Sequence, residues 1–210
     1  MAHKGNISLL NSLTNSLPQS FFRDIVFNLN QCHQAAWSHI EPIFSQPVAK
    51  DLIPHYRRAL FEDRMTEIAR KYGLSSRSVK NRVKNASHVE IETMVDSKTI
   101  ILTALAVKDI SFDLTRLRTA QFRKTLAEDA WLFEEFSNSG NGFYGVILHG
   151  AGPENKNALD FAYLGFPYAD CKGWYGRYDL FLLAGASAES EIIEDTADPK
   201  LLKIALQKEE

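Results

Sequence analysis

The chain is expected to fold as an α+β protein, with an N-terminal helical part followed by an antiparallel or mixed sheet that a long helix covers. Three observations predict this. Apolar residues recur at alternating three- and four-residue steps from Ser20 to about Tyr72, the spacing of amphipathic helices. After Ala86 the period falls from about 3.6 to 2, the signature of strands with distinct faces. Between two pairs of such strand-like runs, Thr115 to Phe136 returns to helical spacing.

Each element has its own justification. Residues Asn6 to Gln19 are rich in Ser, Asn and Leu and contain Pro18, which suits a flexible or loosely helical lead-in. Phe22, Ile25, Leu29, Cys32, Ala36 and Ile40 mark one face of a first helix, which Pro42 ends or redirects. A second helix is expected from Val48 to Tyr72, bent near Pro54, with Leu52, Ile53, Ala59, Leu60, Met65, Ile68 and Ala69 toward the core and Gly73 as its stop. Val89, Ile91, Thr93 and Val95 then alternate with His88, Glu90, Glu92 and Met94, and Asp96-Ser97-Lys98 turns the chain into Ile100 to Val107. That second strand is apolar on both faces, as in the centre of a covered sheet.

Leu117, Phe122, Leu126, Ala130 and Phe133 form the apolar stripe of the long helix, closed by Asn138-Ser139-Gly140-Asn141-Gly142. Strands are expected at Phe143 to His149 and Ala158 to Phe166, ending at Pro167. An aromatic stretch from Tyr168 to Tyr178 leads into Asp179 to Leu183, a strand or a short helix. The last 24 residues, with seven acids and three lysines, read as a mobile tail. The organisation is therefore a lead-in (1–19), a helical region (20–87), an α+β region (88–186) that is separate from the preceding part or one domain with it, and an acidic tail (187–210).

The bulk properties narrow the function classes. At 210 residues with 45% hydrophobic and 24% charged content, the chain can bury a core and does not read as disordered. No run approaches the roughly 18 apolar residues of a membrane span, and the start lacks the charged-then-apolar layout of a signal peptide. A cytoplasmic location without a membrane partner is expected. Cys32 and Cys171 lie far apart without a CxxC, which suits reduced thiols. His3, His33, His39, His55 and His88 show no ligand spacing, so neither a metal nor a cofactor is expected.

The net charge of −2 hides an asymmetry. Between His55 and Ala86 nine Lys or Arg face three acids, and from Ile68 to Val89 there is no acid at all, a locally positive field that suits phosphate. Within it, Met65 to Lys84 has the spacing of a helix-turn-helix. Ala69 sits at a helix crossing, Gly73 allows the left-handed turn, and Ile68, Leu74 and Val79 fill the small core. A helix that ends at Tyr72-Gly73 and runs into a strand fits much of the same text.

The run Glu67-Ile-Ala-Arg-Lys-Tyr-Gly-Leu-Ser-Ser-Arg-Ser-Val-Lys-Asn-Arg-Val-Lys resembles the helix-turn-helix of LuxR-type response regulators, over about a tenth of the chain. The resemblance implies Ser75 as N-cap, Val79 and Val83 packing inward, and Arg77, Lys80, Asn81 and Lys84 facing the groove of double-stranded DNA. Those types can grip phosphate or read guanine, and Asn81 can bridge adenine edges. The recognition helix of that family usually continues into large apolar residues, whereas here Asn85-Ala86-Ser87 follows.

The leading expectation is thus a non-enzymatic, homodimeric DNA-binding regulator. The alternative is an α+β protein-interaction module of immunity or antitoxin type, with a protein partner. A third reading takes Asp160 with Asp170-Cys171-Lys172 as the residue types of a metal-dependent PD-(D/E)xK nuclease. Val146 to Gly152 looks like the oxyanion turn of α/β-hydrolases, but no GxSxG elbow exists, and His149 is better read as a strand-end residue with a satisfied imidazole.

Overall fold

The computed structural model describes residues 4–80, 87–95, 98–107, 142–151, 157–167 and 173–185. Three helices come first: α1 (Lys4–Ser16), α2 (Gln19–Ile40) and α3 (Gln46–Lys71). Six strands follow, β1 (Ser75–Lys80), β2 (Ser87–Val95), β3 (Lys98–Ala106), β4 (Gly142–Gly150), β5 (Phe161–Pro167) and β6 (Trp174–Asp179), and then a short helix α4 (Leu180–Leu183). The fold is α+β with a mixed sheet.

The strands lie in sequence order, and every neighbouring pair is antiparallel except β3 and β4, which run parallel from Thr99–Gly142 to Ala106–His149. A parallel pair needs a long crossover, and the residues between β3 and β4 are numerous enough to make one. The helix expected at 115–136 falls there, outside the described residues, as does the acidic tail. The two-sided apolar strand, β3, is internal to the sheet, as its composition predicts.

The helical part and the sheet share one core. Leu13 and Leu17, then Phe21, Phe22, Ile25 and Leu29 of α2 and Phe61, Met65, Ile68 and Ala69 of α3 pack in the same cluster as Val89, Ile91, Val95, Ile100, Leu102, Ile147, Leu164 and Phe166. The lead-in is therefore partly structural, since α1 brings Leu13 into that core. Pro54 lies inside α3, where its missing N–H removes one helical hydrogen bond without ending the helix. On the sheet's other face Tyr144, Val146, Leu148 and Val107 form a second cluster, and Thr103 and Tyr144 hydroxyls share a 2.9 Å hydrogen bond.

The expected recognition helix is corrected by this structure. Up to Gly73 the expected helix and its stop coincide with the structure, but Leu52 and Ala59, expected toward the core, are exposed. The α3 helix closes with Gly73 at φ +68°, the Gly73 N–H donating to the Arg70 carbonyl and the Leu74 N–H to the Ala69 carbonyl, a Schellman closure. Beyond it Ser75 is not an N-cap but the first residue of β1, which pairs with β2 from Ser75–Glu92 to Lys80–Ser87. The ladder prevails because Arg77 stands directly across from Glu90, and a cross-strand ion pair on a six-residue ladder offers more than a short helix without large apolar anchors.

One smaller expectation shifts, and two open readings resolve. The strand expected from Ala158 begins at Phe161, the last part of the aromatic stretch is the edge strand β6, and the 179–183 segment is the short helix α4. Asp179 caps that helix, its carboxylate accepting from the Phe181 and Leu182 N–H groups.

Candidate functional site

Four of the seven described cations between His55 and Lys80 are paired with a carboxylate of the chain itself. The Arg77 guanidinium donates to Glu90 Oε2 at 2.8 Å from both Nε and Nη2. His88 Nε2 lies 2.9 Å from Glu90 Oε1. Glu90 is only 4% exposed; burial pushes its carboxyl up, yet the hydrogen bonds from His88 and Arg77 outweigh this and hold it below the ordinary range. Arg58 pairs with Glu62 and donates to the Ser87 carbonyl, Arg64 pairs with Glu67, and Lys71 with Asp24. Arg57 donates to a histidine. Arg57, Arg70 and Lys80 have no carboxylate partner among the described residues.

The four residues assigned to DNA are therefore placed as follows. Arg77 points across the sheet to a buried carboxylate, and Lys80 ends an exposed edge strand. Asn81 and Lys84 lie outside the described residues. Asp160 is exposed just before β5, its N–H donating to the Gly150 carbonyl, and Asp170 and Lys172 are also outside. Cys32 is buried, which pushes its thiol up to about 11, and Cys171 is not described. Among the described residues no group of three His, Cys, Asp or Glu could hold a metal, and no helix is long and apolar enough to cross a membrane.

Two features emerge that the sequence reading did not assign. The first is the tip of the α2–α3 hairpin. Ala36, Ala49 and Ile53, with Trp37, Ile40 and Tyr56 beside them, form a small core of their own at this end, separate from the main one. On its outer side Ile43 is 71% exposed, and Phe44, Val48 and Leu52 follow at four-residue steps and are exposed as well. Ile43 and Phe44 in the α2–α3 turn, with Val48 and Leu52 one turn apart on α3, concentrate four exposed large apolar side chains within ten residues. Glu41, Lys50 and Asp51 rim it with both signs of charge.

The second is a polar cluster where α2 and α3 meet the end of β4. Arg57 Nη1 donates to His33 Nδ1 at 3.0 Å. Because arginine can only donate, His33 is neutral with its proton on Nε2, which is 3.1 Å from His149 Nδ1 and donates to it. His149 is in turn neutral with its proton on Nε2. Burial, and next the Arg57 charge, hold the His33 imidazole down at about 3, and burial with the same neighbours holds His149 well below its ordinary value. The Phe61 ring closes the cluster, 5.6 Å from the His149 ring.

Alternation along β4 explains the placement: Tyr144, Val146 and Leu148 face one cluster, so Ile147 and His149 face the helices. The strand end is fixed by the Val107 N–H donating to the His149 carbonyl at 2.9 Å. Gly150 makes this approach feasible, since a Cβ there would lie 2.6 Å from the Val107 carbonyl oxygen and 2.3 Å from the Phe161 ring. Gly150→Ala is expected to cost about 1–3 kcal/mol, because backbone must move to admit the methyl. Urea unfolding checks this, with an unchanged m-value separating lost stability from a changed fold.

His149 was legible as a strand-end residue; its partner His33, 116 positions away, carried no local signal. No protein-family model, curated protein or solved structure matches the chain.

Proposed function

We propose that this chain is a non-enzymatic protein-interaction module that pairs through the tip of its helical hairpin, with a second copy as the partner, in the cytoplasm. The single observation that carries this is the exposed group of Ile43, Phe44, Val48 and Leu52 on a separately packed hairpin end. An exposed apolar stripe costs solvation unless it meets another surface. The mixed-sign rim suits a two-fold contact, where Lys50 of one copy can meet Glu41 or Asp51 of the other. The edge strand β1 is a poorer partner surface, because Arg77 and Lys80 are charges of the kind that block edge-to-edge pairing.

The patch is small against the roughly 800 Å² per partner of a standard interface, so pairing in the range of about 1–100 μM is expected. Sedimentation velocity across that range tests it. Wild type is expected to shift from monomer to dimer, and Ile43→Ser with Val48→Asp to stay monomeric while unfolding within about 0.5 kcal/mol of wild type, since both side chains are exposed. A wild type monomeric throughout would refute the reading.

A second reading, a DNA-binding regulator, keeps support from the acid-free run and from Arg70 and Lys80 within it. Contact would then come from the β1–β2 edge, as in β-ribbon readers, rather than from a recognition helix. Duplex binding by fluorescence anisotropy that weakens with salt and falls in Arg70→Ala/Lys80→Ala/Lys84→Ala would favour it over the interaction module.

A further inference from the structure

We propose that Arg57, held by His33 and His149, is the anchor of a binding site for a small oxyanion, a carboxylate or a phosphoryl group. Three observations carry this. Arg57 is a partly buried cation without a carboxylate partner among the described residues, although nearby Arg58, Arg64, Lys71 and Arg77 each have one. A desolvated charge without a counter-ion is expensive, and a bound anion removes that cost.

The second observation is the guanidinium's own hydrogen bonding. Nη1 is committed to His33, and Nε is buried without an acceptor. The edge that Nε forms with Nη2 is the planar fork that matches two oxygens of a carboxylate or phosphate. The third is the relay behind it. His33 accepts from Arg57 and donates to His149, so the guanidinium is fixed in orientation by neutral groups that leave its charge uncompensated. The site lies where α2, α3 and the end of β4 converge, five residues along α3 from Leu52, and it uses none of the exposed tip residues Ile43, Phe44, Val48 and Leu52.

The test is a titration of the full chain with inorganic phosphate and, separately, with acetate, each against sodium chloride at matched ionic strength. The imidazole resonances of His33 and His149 are followed by NMR, with the thermal midpoint alongside. Saturable shifts of both imidazoles with phosphate support a phosphoryl ligand, and the same with acetate supports a carboxylate. No shift with either anion beyond the chloride control overturns the proposal.

Arg57→Lys keeps the charge and loses the fork, so binding is expected to weaken at least about tenfold. Unchanged affinity in that variant would also overturn the proposal. Should the variant fail to fold, the wild-type imidazole titration decides alone. Failure of the tip to dimerise would leave this result untouched, because the readouts report different residues.

Discussion

Replacing Phe61 by alanine is expected to cost about 3–5 kcal/mol, the largest effect of any single change considered for this chain. Phe61 is 1% exposed and belongs to the main core, where its ring lies against His149. Truncation removes the transfer energy of the ring and leaves a cavity between α3 and β4 that rigid neighbours only partly refill. It also admits water beside the two neutral imidazoles, so the variant should lose part of the acid sensitivity described next. Phe27→Ala is the matched control: that ring is exposed on α2, and its loss should change stability by no more than about 0.5 kcal/mol. Urea unfolding of the two variants measures the contrast, and comparable costs would contradict the packing described.

Acid is expected to destabilise the fold well above the pH at which carboxylates titrate. His33 and His149 are held neutral in the folded chain, with their values lowered from 6.5, to about 3 for His33. In the unfolded chain both bind protons below about pH 6.5. The unfolded state therefore carries more protons, and stability falls as pH falls from about 6.5 toward the folded values. The limiting slope is about 1.4 kcal/mol per pH unit for a histidine that stays neutral when folded, so going from pH 7 to 5 costs about 2 kcal/mol through His33, and His149 adds to it in the same direction.

Glu90 and Asp24 behave differently. Burial raises both carboxyls, but hydrogen bonds from His88 and Arg77 in one case, and from Lys71 and Tyr72 in the other, leave them below their ordinary values. Their contribution is present above the ordinary carboxylate range and is lost below it, which keeps the window from pH 6.5 to 5 for the histidines. Denaturant unfolding at several pH values in that window measures the slope. A double His33→Gln/His149→Gln variant should flatten it, and an equally steep slope in that variant would assign the protons elsewhere.

The parts of this fold that sequence made legible are those with strong local periodicity. The stripe from Phe22 to Ala36, the alternation from Val89 to Val95 and the two-sided run of β3 each state their surroundings in their own side chains. The segment from Ser75 to Lys80 does not. One valine among three serines and two cations satisfies helix and strand alike, and Glu90, the residue that decides between them, is thirteen positions away from Arg77. A charge run likewise says nothing about where its counter-charges sit, and here α2 supplies Asp24 and β2 supplies Glu90.

The candidate sites were less legible for the same reason. The tip patch uses residues whose apolar character reads as core until the packing shows which side of α3 is covered: Ala49 and Ile53 are buried, Val48 and Leu52 are not. The His33–His149–Arg57 relay joins three elements that are distant in sequence. Only the reach of β4 across to the helices brings them together.

The central claim, that the hairpin tip is the surface this protein pairs with, is most directly tested by amide hydrogen exchange at low and high protein concentration. The amides of Gln46 and Val48 open α3 and have no intrahelical acceptor, so in a monomer they exchange rapidly, whereas Pro47 carries no N–H and the Ala49 N–H already donates to the Ser45 carbonyl. Slower exchange confined to residues 43–52 at high concentration, with Ser75–Lys80 unchanged, is the result expected. Exchange that is independent of concentration at the tip, or protection that appears instead along β1, would contradict it.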